Sequence, residues 1–553
     1  MTAHASLPED VPVLVCGAGP VGLATSILLS RQGIRHLVVE KREAVSQLPR
    51  ARGITVRSAE ILTQLGLDDE VAAFSLPPLW TQCFVYTETL AGALVGVMPS
   101  ATRPGSHAAV SPCDYRVAAQ DRIDPMLYRA ATAYREADIR FRTSVTGFEQ
   151  DSEQVVVTLQ RADGSSARVR CRYLVAADGG RSPLRQMAGI GEQGRANLRS
   201  FVNCHVRADL SRFTAGREGT LIWTLAPGRE GLFQPLDGEQ AWAIQIQFDP
   251  QQDPPESWTQ DRVLARLREM VGGADAGRVE FEIARTYTYT LSMMLSDRLR
   301  QGRLLLVGDA AHQVPPYGGF GLNTGLQTAH NLVWKLGAVL RGEATAALLD
   351  TFDSERREVA SRVMAFGRTN AGYIDQLMAA VRAAGSADER RRLIEGSAQY
   401  GNWVGLDLGV HYEGPGAYVP DDVAPPATPD PVQNYVPHAK PGQRAPHLWV
   451  QHGDRRVSTV MLFDGRFVLL AGPQGQAWVD AAAAHGRPSI SAYRVANDGD
   501  LVPEGDFCGL YGIEASGAVL VRPDGHVAFR APSLTSDAVL TLNAVMEQVL
   551  RPS

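Results

Sequence analysis

The stretch that decides the fold is Gly308-Asp309-Ala310-Ala311-His312, which continues at residues 315–323 as Pro-Pro-Tyr-Gly-Gly-Phe-Gly-Leu-Asn. The apolar run before it, Arg303 to Val307, predicts a buried strand, and the pattern from Thr324 to Leu340 predicts a helix. A glycine-rich turn between a strand and a helix presents backbone N–H groups and the positive end of the helix dipole to an anion. Asp309, at the end of the strand, is placed to accept hydrogen bonds from sugar hydroxyls. The stretch therefore predicts one half of a nucleotide-binding site.

A matching half-site lies near the N-terminus, at Cys16-Gly17-Ala18-Gly19-Pro20-Val21-Gly22. It follows a predicted strand, Val11 to Val15, and precedes a predicted helix, Leu23 to Gln32, which is the context that the dinucleotide-binding fingerprint requires. Its three glycines make the turn, admit a pyrophosphate and let the helix pack on the strand, in that order. The next predicted strand ends at Glu40, where an acid that binds a ribose hydroxyl is expected.

A third strand–turn–helix motif runs from Tyr173 to Arg185. Its predicted strand ends in Asp178-Gly179, before a helix that begins near Ser182. Asp178 could support a cofactor, or it could form an Asp-Gly turn with a capping serine, and the sequence leaves both open.

Two polar residues outside the glycine turns are further candidates for ligand contacts. Arg50 is one of two arginines in the stretch 48–53 after Glu40 and could bind a phosphate, although a solvated basic loop is the alternative. Gln120 opens a helix predicted over residues 121–137, where a glutamine can either face a ligand or cap the helix.

The composition is that of an ordinary globular protein of two or three domains. The chain has 553 residues, of which 44% are hydrophobic and 21% charged, and its net charge is −6. No basic face suggests nucleic acid, and no apolar run reaches the roughly 20 residues that span a bilayer. The six cysteines are scattered, which favours a reducing compartment and gives no metal-like cluster. We therefore expect a cytoplasmic protein with no metal, no membrane and no nucleic-acid partner; a homo-oligomer is left open.

The order of elements predicts an α/β protein with a Rossmann-like nucleotide-binding domain, an inserted β-sheet substrate domain and a C-terminal thioredoxin-like domain. Residues 199–248 are rich in predicted strands, and residues 415–446 contain nine prolines, which is typical of a linker. The C-terminal part has a single cysteine, Cys508, so it cannot perform dithiol exchange. The expected divisions are 1–198 and 301–412 for the two parts of the nucleotide-binding domain, 199–300 for the substrate domain, 413–446 for the linker and 447–553 for the thioredoxin-like domain.

Together these motifs resemble the group A flavin-dependent aromatic hydroxylases, the monooxygenases related to phenol hydroxylase and the aromatic polyketide hydroxylases. The resemblance rests on GAGPVG at 17–22, YLVAADGGRSPLR at 173–185 and GRLLLVGDAAHQVPPYGGFGLNTGLQTAHNLVWKL at 302–336. AVLVRPDGHVAFR at 518–530 resembles the thioredoxin-like domain of the subgroup. The resemblance as a whole implies non-covalent FAD, NADPH or NADH, O₂ and a small aromatic substrate. It also implies hydroxylation through a flavin C4a-hydroperoxide.

The resemblance also implies which residues hold the cofactor. Asp309 corresponds to a ribityl or ribose ligand, and Pro315 and residues 318–323 to the loop beside the isoalloxazine. The complete set of expected cofactor-binding residues is Gly17, Gly19, Pro20, Gly22, Glu40, Lys41, Arg50, Gln120, Val145, Asp178, Gly179, Asp309, Pro315, Gly318, Gly319, Gly321, Leu322 and Asn323.

The reacting side chains are less well defined. Phe320 and Thr328 stand where many members of the family have Gln and Asp, and the loop 50–53 lacks the carboxylate of phenol hydroxylase. No catalytic base is therefore assigned, and His205 and Tyr317 are the candidates. The aromatic residues expected to contact the substrate are Trp223, Phe233, Trp242 and Tyr317.

Other oxidative flavoproteins share these motifs. A flavin halogenase would show a W-x-W-x-I-P motif and a catalytic lysine, neither of which is present. A Baeyer–Villiger or other oxidative flavoenzyme acting on a polycyclic substrate, and a non-oxygenating flavoprotein, remain alternatives to aromatic hydroxylation. The choice of NADH or NADPH, the substrate and the oligomeric state are left open.

Overall fold

The three glycine-containing motifs lie at the carboxyl ends of three neighbouring parallel strands. In the computed structural model, which describes residues 6–552, Ser166–Ala176 pairs with Leu304–Leu306 on one side and Asp10–Cys16 on the other. Most of their apolar residues are buried, as expected in the middle of a parallel sheet covered on both faces. Because each strand brings its turn to the same sheet edge, the three motifs converge on one place.

These strands belong to an eight-stranded sheet that forms the core of a Rossmann-like domain. The main path, in order, is Arg300–Gln301, Leu304–Leu306, Ser166–Ala176, Asp10–Cys16, His36–Val39 and Ala137–Arg140. A hairpin of Thr143–Gln150 and Val155–Arg161 pairs antiparallel with Ser166–Ala176. The helices of this part are Pro20–Arg31, Val56–Gln64, Asp68–Phe74, Gln120–Thr132, Pro183–Met187 and Phe320–Leu340.

A seven-stranded sheet forms a second layer with its own hydrophobic core. Its order is Glu282–Thr290, Ser200–Arg207, Ala241–Phe248, Gly231–Pro235, Leu221–Thr224, Cys83–Thr87 and Leu94–Pro99. The helix Gln260–Val271 contributes apolar side chains to the core on one face. The last two strands come from the N-terminal part of the chain, outside the range 199–300. They join this sheet through the parallel pairing of Cys83–Thr87 with Leu221–Thr224.

Three further helices and two small sheets lie in the part of the structure before the proline-rich segment. The helices Asp350–Ala383, Ala387–Glu395 and Val404–Leu408 follow the central motif. A three-stranded sheet consists of Glu192–Arg195, Met293–Ser296 and His312–Gln313, and a two-stranded one of Gly53–Ile54 and Arg116–Val117.

Several element boundaries differ from those that the sequence predicts. The helix expected from Thr324 begins at Phe320, directly after the left-handed residue Gly319. The helix expected over 121–137 ends at Thr132, since Ala137–Arg140 forms the sheet edge beside His36–Val39. The sequence pattern predicts a strand from Val457 to Phe463, but the strand stops at Ser458, whose side chain caps the short helix Thr459–Leu462. The pattern also predicts a helix from Asp350 to Arg368, and this helix continues to Ala383.

The C-terminal part has a thioredoxin-like arrangement. Its four-stranded sheet has the order Ile490–Arg494, Phe467–Ala471, Ala518–Val521 and Val527–Ala531. The first two strands are parallel and joined by the helix Gln476–Ala484, whereas the last two form an antiparallel hairpin before the helix Ala538–Leu550. A smaller sheet contains Arg455–Ser458, Trp449–His452 and Val502–Pro503, and Phe507–Tyr511 is a short helix. Cys508 and the five other cysteines are free thiols.

The proline-rich segment 413–446 has no helix or strand of its own, yet it packs between the nucleotide-binding domain and the thioredoxin-like domain. Ala417, Tyr418 and Ala445 are buried, and Arg444 forms a buried ion pair with Glu60 of the helix Val56–Gln64. Its irregular backbone agrees with its proline content, and its side chains fix its path.

A buried ionic network fastens the thioredoxin-like domain to the helices after the central motif. Arg522 contacts Glu355 at 2.7 Å and Asp524 at 2.5 Å, and Lys335 contacts Glu355 at 2.7 Å. All four side chains are at most 2% exposed, so each charge depends on the others for compensation. Within residues 6–552 no helix is long and apolar enough to cross a membrane.

Candidate active site

One cavity of about 1490 Å³ runs from the edge of the eight-stranded sheet to the face of the seven-stranded sheet. This exceeds the roughly 300–1,000 Å³ of pockets that hold one small ligand, so the cavity has room for a cofactor and a substrate together. All three motifs contribute to its wall, among them Gly17, Asp178 and Asp309. Of the eighteen expected cofactor-binding residues, the structure places all except Pro315 and Asn323 in the lining.

Glu40 is held rigidly at the end of its strand and faces the cavity. It accepts a hydrogen bond from the backbone N–H of Ala18 at 2.9 Å and from Arg42 Nε at 3.0 Å. Burial alone would raise the pKa of this carboxyl, but the bonds from Arg42 and Ala18 outweigh it and lower the pKa. The carboxylate is therefore ionised and fixed where a ribose hydroxyl is expected.

Several glycines leave open space along the wall of the cavity. A Cβ atom added to Gly19 or Gly179 would meet no protein atom within 4 Å, and one added to Gly319 or Gly321 would meet atoms only at 3.7 to 4.0 Å. At Gly19 neither the neighbouring protein nor a positive φ requires a glycine, and the open space lets a ligand approach the backbone closely. This is the fit expected for the pyrophosphate and ring system of a dinucleotide.

Asp178 has two roles that the sequence could not separate. Its carboxylate accepts hydrogen bonds from Ser182 Oγ at 2.6 Å and from the backbone N–H of Leu184 at 3.1 Å, so it fixes the turn and the start of the helix. It also lines the cavity, and burial raises the pKa of its carboxyl. Arg185 behind it donates to the carbonyl of Ala310, which ties the motif at residues 173–185 to the one at residues 308–323.

Asp309 projects into the cavity at the end of its strand. The side chain is exposed to the open cavity, but the protein around it still raises the pKa of the carboxyl by burial, while the guanidinium of Arg50 acts in the opposite direction. Its side chain has no hydrogen-bond partner among residues 6–552, which leaves both oxygens available to ligand hydroxyls.

We expect Asp309→Ala to weaken FAD binding roughly tenfold or more, since a hydrogen bond to a charged group contributes about 1.5–3 kcal/mol. Asp309→Asn keeps an acceptor and should lose less. Flavin fluorescence titration of the apoprotein measures both dissociation constants. Unchanged flavin occupancy of Asp309→Ala after gel filtration at low protein concentration would contradict the assignment.

The two expected cofactor residues outside the lining support it from behind. The Asn323 amide donates to the carbonyls of Gly53 at 2.9 Å and Gly319 at 2.6 Å, and accepts from the backbone N–H of Thr55 at 3.0 Å. It therefore positions two backbone segments of the cavity wall. Pro315 is buried and packs near Gly367. Both residues lie behind the lining, and their contact with a cofactor stays a prediction.

The face of the seven-stranded sheet supplies a flat aromatic surface at the other end of the cavity. Phe201 and Tyr289, in neighbouring strands, stack with their ring centroids 5.5 Å apart. Trp223 lines the cavity as expected, and so does Tyr317, whose ring lies below the Arg199 guanidinium at 5.8 Å. Burial raises the pKa of Tyr317, so its hydroxyl is protonated near neutral pH.

Three of the expected substrate and catalytic residues are elsewhere. Phe233 and Trp242 belong to the core on the opposite face of the sheet, because side chains alternate along a strand: Gln234, next to Phe233, and Gln245, three residues after Trp242, take the cavity face. His205 lies against Tyr287 outside the lining, and burial lowers the pKa of its imidazole to about 4. None of the three lies in the cavity lining.

Several further residues that the sequence motifs do not indicate also line the cavity. Asp124 receives a hydrogen bond from Gln120 at 3.2 Å, and burial raises the pKa of its carboxyl to about 7. The spacing of four residues on one helix was a readable signal for this pair. Arg52 and Tyr115, which meet where the two sheets approach each other, had no such signal because their proximity depends on tertiary structure.

Comparisons with known proteins agree with this site. Residues 10–367 match the model of an FAD-binding domain, and residues 438–552 match that of the aromatic-ring hydroxylase C-terminal domain. Tetracenomycin A2 monooxygenase-dioxygenase of Streptomyces glaucescens is 34% identical, covering 98% of this chain and 97% of its own. A 4-methyl-5-nitrocatechol 5-monooxygenase of a Burkholderia species is 34% identical over the full length of both chains.

The fold is also that of a solved ternary complex. Aklavinone-11 hydroxylase, crystallised with FAD and aklavinone, superimposes with a TM-score of 0.85 at 32% identity and covers 99% of this chain and 100% of its own. A Rossmann-like cradle that opens onto an aromatic sheet face defines a flavoprotein oxygenase site. The chain belongs to the FAD-dependent aromatic-ring hydroxylases, with the α/β fold and thioredoxin-like C-terminal domain expected from its sequence.

Proposed function

We propose that the protein is an NADPH- or NADH-driven monooxygenase that hydroxylates a phenolic, polycyclic aromatic compound of polyketide type. The observation that carries this proposal is the single cavity that joins the dinucleotide cradle to a flat aromatic surface. Relatives named for tetracenomycin A2, aklavinone and a nitrocatechol support the substrate class. The flat and partly apolar wall of the cavity matches such a substrate.

FAD, when bound, supplies the activation of O₂ with electrons from the nicotinamide nucleotide. The protein's residues do the rest by binding and orientation. Glu40 and Asp309 would hold sugar and ribityl hydroxyls, and residues 318–321 would place backbone against the flavin ring. The stacked pair Phe201 and Tyr289 would align the substrate ring, and closure between the two sheets would exclude water from the reacting atoms.

The cofactor is proposed to be non-covalent. His312 near the glycine loop is 1% exposed, lies outside the lining and contacts Thr328. Cys16 lines the cavity, but burial and the nearby Asp178 and Glu40 raise the pKa of its thiol well above the usual value, so it is not a thiolate nucleophile. The free cysteines support action in the reducing cytoplasm.

Screening polycyclic phenols for acceleration of NAD(P)H oxidation, with mass spectrometry for a product gaining one oxygen, tests the function. A free phenol should be oxygenated as its phenolate, because electrophilic oxygen attack needs an electron-rich ring. Since no carboxylate lies in the loop 50–53 to act as a base, the ionisation rests on the acidity of the phenol itself. The O-methylated analogue should bind and stimulate NAD(P)H oxidation but release hydrogen peroxide. Equal hydroxylation of the methyl ether would contradict the phenolate mechanism and favour a Baeyer–Villiger or other oxidation.

A further inference from the structure

Arg52 is a buried cation without a carboxylate partner. Its side chain is 9% exposed and lines the cavity. The guanidinium donates to two backbone carbonyls of the substrate sheet, Pro235 at 2.8 Å and Thr220 at 3.1 Å. Among residues 6–552 no carboxylate lies within ion-pair distance of it. Two of its five N–H groups are thus used, and the other three make no hydrogen bond among residues 6–552.

The other arginines that line the cavity differ from Arg52. Arg42, Arg199 and Arg266 each have a carboxylate partner, Glu40, Asp375 and Glu230 respectively. A second group is exposed to solvent and consists of Arg50, Arg181 and Arg382. A buried charge normally requires compensation by an opposite charge, because its removal from water is costly. Among the arginines of residues 6–552 that line the cavity, only Arg52 is buried without such a partner. This points to an anion that is supplied from the cavity.

The surroundings of Arg52 place it beside the expected flavin position. The carbonyl of Arg52 accepts a hydrogen bond from Ala118, and the next residue, Gly53, lies against the glycine loop at Gly319. The titratable group facing Arg52 is Tyr115, whose pKa burial raises to about 12, so it carries no charge at neutral pH. Burial lowers the pKa of Arg52 to about 10, and the guanidinium stays protonated.

We propose that Arg52 binds the ionised oxygen of the substrate and selects the phenolate over the neutral phenol. The proposal rests on the proposed function in naming a phenol as the ligand. The phenolic O–H bond breaks, its proton passes to solvent, and the oxygen keeps the electron pair that the guanidinium N–H groups then hold. The cation thereby performs, through charge, the task that a carboxylate base would otherwise perform.

The test uses FAD-loaded enzyme without NAD(P)H and alizarin, a dihydroxyanthraquinone whose visible spectrum reports its ionisation. In the wild type the pKa of bound alizarin should lie about 1 to 3 pH units below that of the free dye, the range produced by a neighbouring arginine. In Arg52→Met and Arg52→Gln this difference should vanish, and in Arg52→Lys most of it should remain. Arg217→Met is the matched control, because Arg217 also donates to carbonyls, Gly92 at 2.8 Å and Leu90 at 3.5 Å, but lies outside the lining.

Flavin content and melting midpoint are measured for each variant. If Arg52 only braced the loop against the sheet, Met and Lys variants would melt lower and bind both forms of alizarin more weakly, with the pKa of the bound dye unchanged; this overturns the proposal. A wild-type cavity that takes only the neutral dye, or neither form, also overturns it. The readout needs no turnover, so an enzyme that ionises alizarin yet hydroxylates no phenol would refute the proposed function alone.

Discussion

Glu355→Ala should lower the free energy of unfolding by about 3–5 kcal/mol, the cost of removing one partner from a buried ion pair. Glu355 lies on the long helix Asp350–Ala383, and its carboxylate contacts Lys335 and Arg522 at 2.7 Å each. Without it, Lys335 loses its anionic partner in a fully buried position. Arg522 would keep Asp524, so the greater part of the penalty should come from the lysine.

Acid should weaken the same network. Burial alone would raise the pKa of Glu355, but Arg522 and Lys335 outweigh it and lower the pKa from its ordinary 4.5 to about 2. Because the folded-state pKa is the lower one, this stabilisation is complete above about pH 4.5 and is lost as the pH falls towards about 2. The stability of Glu355→Ala should therefore depend less on pH in that window than that of the wild type.

Chemical denaturation followed by flavin fluorescence and by circular dichroism measures the effect. Both midpoints should fall together, since the network links the thioredoxin-like domain to the flavin-side helices. Glu504→Ala is the matched control: Glu504 pairs with Arg456 on the surface of the same domain, and exposed pairs contribute little. If Glu355→Ala unfolded at the wild-type midpoint, the network would not be the main link between the domains.

The cofactor end of the site could be predicted from the sequence because its parts are local. A strand, a glycine turn and a helix define the positions of Gly17, Glu40 and Asp309 within a short stretch each, and parallel strands bring the turns to one edge. The structure confirms the class of fold and places these residues together. The supporting role of Asn323 could not be predicted, because its partners Gly53 and Thr55 lie far away in sequence.

The substrate end could not be predicted in the same way. Which face of a strand meets a cavity depends on what covers the sheet, and the pattern of Gly231–Pro235 does not show that helix Gln260–Val271 covers the side of Phe233. Arg52 likewise acquires its position from carbonyls almost two hundred residues away. Long-range packing, rather than local propensity, decides these contacts.

Gly17→Ala should reduce FAD affinity by roughly 100-fold, a cost of about 3 kcal/mol. Gly17 has a φ of +111°, and an added Cβ atom would lie 2.2 Å from the carbonyl oxygen of Ala177. Its N–H donates to Val39 at 2.8 Å and the N–H of Ala177 donates to Cys16 at 2.8 Å, so neither strand can move away freely. An unfavourable φ costs about 1–3 kcal/mol and overpacking costs a similar amount. Together these costs are enough to account for a loss of about 3 kcal/mol in FAD affinity.

Two further glycines separate the causes. Gly19→Ala adds a Cβ atom that meets no protein atom within 4 Å, so its apoprotein should melt like the wild type while FAD affinity falls. Gly33→Ala, at a φ of +69° with open space around it and outside the cavity lining, should cost some stability but leave FAD affinity unchanged. Calorimetry of the apoproteins and flavin titration give both quantities for each variant. Because Gly17→Ala strains the turn itself, it alone should lower both the stability of the apoprotein and the affinity for FAD. Full FAD affinity in Gly17→Ala would show that the turn adapts and that the close contact with Ala177 does not control the cofactor site.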